Sequence, residues 1–147
     1  MKEKEAMQIR RIDDRISVSP QIDPADVTEL AAQGFAAIVN NRPDHEEAGQ
    51  PEGEPIKRVA ETMGLAYTAI PVTGGFSHDQ IDAMRAALDA AAGPVLAFCR
   101  SGTRSTNLWA LAEAKAGGDP DAIVAKAAAA GYDLAGLRPT LEALATA

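Results

Sequence analysis

The segment from residue 94 to 111, PVLAFCRSGTRSTNLWAL, constrains the fold of this chain more than any other part of the sequence. The apolar run PVLAF ends directly at Cys99, a short polar loop follows, and a helical pattern begins near Ser105. Short continuous apolar runs are typical of strands buried on both faces of a parallel sheet. The segment therefore predicts a strand, a tight loop and a helix, with Cys99 at the carboxyl end of the strand.

Strand and helix patterns alternate along the rest of the chain. MQIRRI, RISVSP, FAAIVN and LAYTAIPV are predicted as strands, whereas DPADVTELAAQG, IKRVAETMG and SHDQIDAMRAALDAAAG are predicted as helices. Two more helical segments, DPDAIVAKAAAAG and LRPTLEALATA, complete the chain. This alternation predicts an α/β fold with a largely parallel central sheet flanked by helices on both faces. We expect residues 1–6 to be a flexible N-terminus and residues 7–147 to form a single domain.

The composition of the chain argues against several classes of function. The chain has 147 residues and a net charge of −7, which argues against general binding of nucleic acid. The sequence shows neither a secretory h-region nor an apolar run long enough to span a membrane, so we expect a cytoplasmic protein without membrane partners. One cysteine and two histidines form no recognisable metal-ligand spacing, and we predict neither a metal nor a cofactor.

The loop after PVLAF is predicted to be an anion cradle. In open α/β sheets ligands bind beyond the carboxyl ends of the strands, where this loop lies. Backbone N–H groups at the start of a helix lack internal partners and attract anions, and a glycine lets the chain turn tightly around one. We predict that Cys99 and Arg104 are catalytic. The predicted substrate-binding residues are Arg100, Ser101, Gly102, Thr103 and Ser105.

The charges around Cys99 favour a nucleophilic thiolate. No acidic residue occurs between Asp89 and Glu113, and helix N-termini and nearby cations favour the thiolate form. Ser105 is expected either to cap the following helix or to donate a hydrogen bond to the thiolate. The alternative interpretation is an inert cysteine buried in the core. Two arginines at a helix start oppose the helix dipole, and this unfavourable placement favours the functional interpretation.

The Cys99 loop resembles the loops of two families of cysteine enzymes. Protein tyrosine and dual-specificity phosphatases carry His-Cys, five residues, and then Arg followed by Ser or Thr. Rhodanese-type sulfurtransferases carry the shorter pattern Cys-Arg-x-Gly-x-Arg. In this chain four residues separate Cys99 from Arg104, and Phe98 stands where the phosphatases have His. In length, and in having Arg100 directly after the cysteine, the loop resembles that of the sulfurtransferases.

A longer part of the chain resembles one family. The segments RRIDDRISVSPQI, NNRPDHEEAGQP, AYTAIPV and GPVLAFCRSGTRSTNLWAL together resemble the phosphatase-like domain family of the beta-lactamase-hydrolase-like proteins, from about residue 7 to 111. The resemblance implies a cysteine-phosphatase-like fold and a small anionic substrate. Members of the family are described as phosphatase-like or as sulfur transferases. The domain also occurs fused to persulfide dioxygenases, so an enzyme of that type is an expected partner.

Phosphate-ester hydrolysis through a cysteine needs a thiolate, groups that hold the phosphate oxygens, and an acid that protonates the leaving oxygen. The strand pattern AYTAIPV is followed by TGG, which contains no acid. Asp44, in NRPDHEE, is the accessory candidate for this acid, and its alternative role is that of a turn residue. Arg42 is the second accessory candidate. It either assists in holding the anion or pairs with Glu46 or Glu47.

Sulfur transfer needs no acid. A thiolate at Cys99 attacks the outer sulfur of thiosulfate or of a persulfide, sulfite or a thiolate leaves, and a thiol acceptor later removes the bound sulfur. We therefore predict a cysteine-dependent sulfurtransferase. The alternative is a cysteine-based phosphatase that acts on protein or aryl phosphate esters through a phosphocysteine. A third interpretation is an anion-binding or redox-sensing module in which Cys99 is oxidised reversibly.

Overall fold

The computed structural model describes residues 7–147, and the expected flexible N-terminus, residues 1–6, lies outside the described residues. Its centre is a sheet of five strands. They are β1 (Arg10–Arg11), β2 (Ile16–Ser19), β3 (Ala37–Asn40), β4 (Ala66–Ala69) and β5 (Val95–Phe98). Their spatial order is β1-β2-β5-β3-β4, which places β5 in the middle of the sheet.

The sheet is parallel apart from one edge. β1 and β2 pair antiparallel, as expected for two strands joined by a turn, and the other neighbouring pairs are parallel. Phe98, the last residue of β5, is level with Ser19 of β2 and Asn40 of β3. The chain therefore leaves these three strands at the same edge. The largely parallel sheet predicted from the sequence is confirmed.

Helices cover both faces of the sheet. They are α1 (Pro24–Ala32), α2 (Gly53–Thr62), α3 (His78–Ala90), α4 (Thr103–Lys115), α5 (Pro120–Ala129) and α6 (Arg138–Ala145), with a 3₁₀ helix at Ala135–Leu137. α1 and α2 bury apolar side chains against one face, and α3 to α6 belong to the core on the other face. Within residues 7–147, no helix has the length and apolar character needed to cross a bilayer.

In the described part of the chain, three helices begin at a residue whose side chain caps them, among them α5 at Asp119. Asp23 caps α1 with Pro24 in the first turn, and Ser77 and Gln80 form a reciprocal capping box on α3.

Two other elements differ in length from their predictions. α2 begins at Gly53, earlier than the predicted IKRVAETMG, because the Asp44 carboxylate accepts a hydrogen bond from the Gly53 N–H. β4 is shorter than LAYTAIPV, although hydrogen bonds to the chain after β3 continue beyond it, from the Ile70 N–H to the Asn40 carbonyl at 2.9 Å and from the Val72 N–H to the Asn41 carbonyl at 3.0 Å.

Candidate active site

The Cys99 loop joins the central strand to a helix, as the sequence predicts. β5 ends at Phe98 and α4 begins at Thr103, with Gly102 as its N-cap. Gly102 has φ +91°, a left-handed conformation that favours glycine, and no side chain caps the helix. The Thr103 N–H donates to the Ser101 Oγ at 3.4 Å, and backbone N–H groups in the first turn of a helix are favourably placed to bind an anion.

Cys99 is fully buried, with 0% of its surface exposed, yet it is not placed as an inert core residue. Its sulfur accepts a hydrogen bond from the Gly102 N–H at 3.0 Å. The sulfur therefore lies inside the turn of the loop, facing a backbone donor.

Tyr132, which follows α5, also contacts this loop and was not predicted from the sequence. Its hydroxyl donates to the Ser101 carbonyl at 3.0 Å. Burial raises the pKa of Tyr132 and outweighs the opposing charge of Arg10, so the hydroxyl keeps its proton at neutral pH. No local pattern in the sequence signals this contact, because it depends on how α5 packs against α4.

Arg104 lies in the first turn of α4 and is held by two partners. Its Nη1 and Nη2 donate to the two oxygens of the Glu46 carboxylate at 2.7 and 2.8 Å. Nη1 also donates to the Val72 carbonyl at 3.0 Å. These bonds use three of the five guanidinium N–H donors. The other two, on Nε and Nη2, lie side by side along the remaining edge, as a fork suited to an oxyanion.

Charge and hydrogen bonding link Arg104 to Glu46 and to Cys99. The hydrogen bond that Arg104 donates to Glu46 raises the pKa of Arg104 most, burial opposes this, and the interactions with Cys99 raise it further. In return, the hydrogen bond from Arg104 lowers the pKa of Glu46 to about 2, with a smaller effect from Arg42. Glu46 is therefore ionised at neutral pH. From the sequence, Glu46 was expected only as a partner of Arg42, so its pairing with Arg104 is an additional finding.

Arg42 is buried and holds the acidic loop between β3 and α2, residues 41–52, through its side-chain hydrogen bonds. Its side chain is 3% exposed, and it donates to Glu46 at 2.9 Å, Glu47 at 3.0 Å and Gln21 at 3.1 Å. Of the two roles considered for Arg42, the structure therefore shows pairing with the glutamates. Arg100 is 68% exposed and lies 3.6 Å from Glu47, so it stands at the rim of the loop.

The hydroxyl residues of the loop fall into two groups. Ser105 is buried and donates to Asn41 Oδ1 at 2.8 Å. This hydrogen bond replaces both roles expected for Ser105, the helix cap and the bond to the thiolate, because the side chain faces β3. The hydroxyls of Ser101 and Thr103 are exposed and lie 3.0 Å apart. They belong to the rim.

Asp44, also in the acidic loop, contacts the start of α2. Its Oδ1 accepts from the Gly53 N–H at 2.9 Å, which satisfies a donor at the start of α2. It also lines a cavity of about 330 Å³ together with Asn40, Lys57 and Tyr67. This cavity lies over the ends of β3 and β4, and neither Cys99 nor Arg104 lines it. The structure thus engages Asp44 with α2 rather than with the Cys99 loop.

Comparisons with known proteins agree with this architecture. The profile of the family described as "Beta-lactamase hydrolase-like protein, phosphatase-like domain" matches residues 8–116. A beta-lactamase hydrolase-like protein of Agrobacterium fabrum is 41% identical over 109 residues, which are 74% of this chain and 25% of the relative. One from Xylella fastidiosa is 36% identical over 130 residues, or 87% of this chain and 30% of the relative. This chain thus spans less than a third of these relatives' length.

Solved structures show the same fold. A protein of Neisseria meningitidis, described as a candidate phosphatase, is 36% identical and superposes with a TM-score of 0.80, covering 92% of this chain and 97% of that protein. PTPMT1 is 12% identical with a TM-score of 0.74, covering 95% and 94%, and at that identity it shows the fold alone. The cysteine-phosphatase-like fold implied by the sequence resemblance is confirmed. The chain belongs to the family of the phosphatase-like domain of beta-lactamase hydrolase-like proteins.

Proposed function

We propose that this protein is a cysteine-dependent phosphatase that hydrolyses phosphate monoesters through a phosphocysteine at Cys99. The observation that carries the proposal is the buried Cys99 sulfur, which accepts from the Gly102 N–H at 3.0 Å and interacts with the Arg104 guanidinium by charge and hydrogen bonding. The description of the Neisseria meningitidis relative as a candidate phosphatase supports it. This was the alternative in the sequence analysis, and the comparisons favour it over sulfur transfer.

The reaction proceeds in two steps. The Cys99 thiolate attacks phosphorus, an S–P bond forms, and the P–O bond to the leaving group breaks with its electron pair on oxygen. Water then attacks phosphorus, the S–P bond breaks, and inorganic phosphate and the thiolate are released. The Arg104 fork holds two of the non-bridging oxygens in both steps, and the N–H groups at the start of α4 stabilise the charge on the third.

The need for a group that protonates the leaving oxygen limits which phosphate esters react. Glu46 is ionised at neutral pH and cannot donate a proton, and Asp44 is engaged with Gly53. Loss of a general acid typically costs about 10²- to 10⁴-fold in rate. Esters whose leaving group departs without a proton escape this cost. The proposed substrates are therefore small phosphate esters of acidic alcohols, such as phenols.

Sulfur transfer remains a second candidate because of the loop length. Four residues separate Cys99 from Arg104, and the smaller ring suits a single sulfur atom. In that reaction Cys99 attacks the outer sulfur of thiosulfate, the S–S bond breaks, and sulfite leaves with the electron pair. A thiol acceptor then takes the sulfur from the Cys99 persulfide. An enzyme of the persulfide dioxygenase type is the corresponding proposed partner.

One preparation distinguishes the two reactions. Release of phosphate from an aryl phosphate is measured for the wild type and for the variants Cys99→Ser, Arg104→Lys and, as a matched control on α2, Arg58→Lys. We expect turnover that Cys99→Ser abolishes, Arg104→Lys lowers at least 100-fold, and Arg58→Lys leaves unchanged.

The same reduced protein is incubated with thiosulfate and weighed intact. A gain of one sulfur that depends on Cys99, without aryl phosphate turnover, would replace the phosphatase proposal with sulfur transfer. Neither activity would favour the third interpretation, an anion-binding or redox-sensing module.

A further inference from the structure

We propose that Tyr132 is a positioning residue of the active site, whose hydroxyl holds the Ser101–Gly102 peptide so that the Gly102 N–H points at the Cys99 sulfur. The proposal rests on the proposed function in one respect, that Cys99 is the nucleophile. Tyr132 lies 33 positions beyond Cys99 in the chain, outside the Cys99 loop and α4.

The peptide bond between Ser101 and Gly102 is planar. Residues 7–147 contain no cis peptide, so the Ser101 C=O and the Gly102 N–H point in opposite directions from one plane. The carbonyl accepts from Tyr132 at 3.0 Å, and the N–H donates to Cys99 at 3.0 Å. A rotation of this peptide would break both hydrogen bonds together. Fixing the oxygen therefore fixes the donor that faces the sulfur.

The fit between Gly102 and Tyr132 supports the same arrangement. A Cβ atom at Gly102 would overlap the Tyr132 hydroxyl, so the loop and the ring are in contact at this point. The positive φ of Gly102 turns the chain sharply after the peptide. With no side chain at this position, the hydroxyl can approach the loop backbone closely.

Tyr132 is itself held firmly. The residue is 8% exposed and belongs to the core on the α3 to α6 face of the sheet. Its backbone N–H donates to the Ala127 carbonyl at 2.9 Å, and the Arg10 guanidinium lies 5.3 Å from the centre of its ring. The position of its hydroxyl is therefore set by packing, independently of the loop that it contacts.

The hydroxyl also affects the strength of the N–H donor. A hydrogen bond accepted by a carbonyl polarises the peptide and strengthens the N–H on its other side. A stronger donor at Gly102 favours the thiolate over the thiol at Cys99. Loss of the Tyr132 hydroxyl should therefore affect thiolate formation, which a residue that only supports the fold would not do.

The test measures alkylation of Cys99, the only cysteine, by iodoacetamide across a range of pH values. The wild type is compared with Tyr132→Phe and with the control Tyr67→Phe, which removes the other tyrosine hydroxyl. We expect the rise in alkylation to move to higher pH in Tyr132→Phe, with a rate roughly 3- to 10-fold lower on the rising limb, and no change in Tyr67→Phe. An unchanged pH profile, with only a lower melting temperature, would overturn the proposal.

A second measurement covers the case in which Tyr132→Phe fails to fold. The chain has two tyrosines, so fluorotyrosine incorporated into Tyr67→Phe protein labels position 132 alone. The hydroxyl of fluorotyrosine is a stronger hydrogen-bond donor than that of tyrosine, and the side chain has nearly the same shape. The alkylation profile should then move to lower pH, and a profile that stays in place would contradict the proposal. Because neither readout needs phosphate turnover, failure of the phosphatase proposal remains distinguishable.

Discussion

The Glu46 carboxylate and the Arg104 guanidinium form a paired hydrogen bond, with Nη1–Oε2 at 2.7 Å and Nη2–Oε1 at 2.8 Å. The pair joins the loop after β3 to the first turn of α4, across 58 positions of sequence. It occupies the end of the guanidinium and not the Nε edge, which is the side from which Arg104 can interact with Cys99 and an anion. Glu46 thus orients Arg104 for an anion without taking the donors that the anion needs.

The first prediction concerns this orientation. Glu46→Gln removes the charge and one acceptor, so Arg104 is expected to sample other rotamers. We expect kcat/KM for an aryl phosphate to fall about 10-fold. Glu47→Gln is the matched control, because Glu47 contacts Arg42 and Arg100 but not Arg104, and it should change kcat/KM less than 3-fold. A higher affinity of Glu46→Gln for inorganic phosphate, without loss of kcat, would instead identify Glu46 as a competitor of the substrate.

The second prediction concerns stability in acid. The hydrogen bond from Arg104, with a smaller contribution from Arg42, lowers the pKa of Glu46 from 4.5 to about 2. The folded protein therefore stabilises the ionised carboxylate relative to the unfolded chain. The resulting stabilisation is complete above about pH 4.5 and is lost as the pH falls through 2. Urea unfolding should show wild type more stable than Glu46→Gln by about 1 kcal/mol at pH 6. This difference should shrink between pH 4.5 and pH 2, and a constant difference would contradict the assignment.

The third prediction separates the cost of a side chain at positive φ from the cost of its overlap with Tyr132 at Gly102. Gly102→Ala introduces a side chain at positive φ and into the space of the Tyr132 hydroxyl. Gly64→Ala is the matched control, with φ +82° and nothing within 4 Å of the added Cβ. We expect Gly64→Ala to lower the free energy of unfolding by about 1 kcal/mol and Gly102→Ala by at least 2 kcal/mol more, with loss of activity. Equal losses in thermal unfolding would show that the contact with Tyr132 is unimportant.

The local parts of the site could be predicted from the sequence. The apolar run before Cys99, Gly102 at the turn and the helical pattern after it lie within a few residues of each other, and their order determines a strand, a loop and a helix. The alternation of such units determines the parallel sheet, and therefore the edge at which the loop lies. These predictions depend on the spacing of apolar residues within short segments, which can be seen in the sequence without knowing how the segments pack.

The contacts between distant segments could not be predicted in this way. Ser105 was expected to cap α4 or to face the thiolate, but its hydroxyl bonds to Asn41, 64 positions earlier. The partners of Arg104 and of the Ser101 carbonyl are also distant in sequence: Glu46 lies 58 positions from Arg104, and Tyr132 lies 31 positions from Ser101. Each side chain had a plausible local role, and packing of the loop after β3 and of the segment after α5 decided between the roles.

The fourth prediction concerns Asp44, the candidate acid. Its carboxylate accepts a hydrogen bond from the Gly53 N–H at the start of α2, and the amide oxygen of Asp44→Asn can accept it equally, so this variant should change the free energy of unfolding in urea by less than about 0.5 kcal/mol. If Asp44 donated the proton, Asp44→Asn would lower hydrolysis of an alkyl phosphate by about 10²- to 10⁴-fold and leave that of an activated aryl phosphate nearly unchanged. We expect the two esters to change in parallel and by less than 3-fold. A selective loss with the alkyl ester would mean that the loop after β3 moves during the reaction and brings Asp44 to the leaving oxygen.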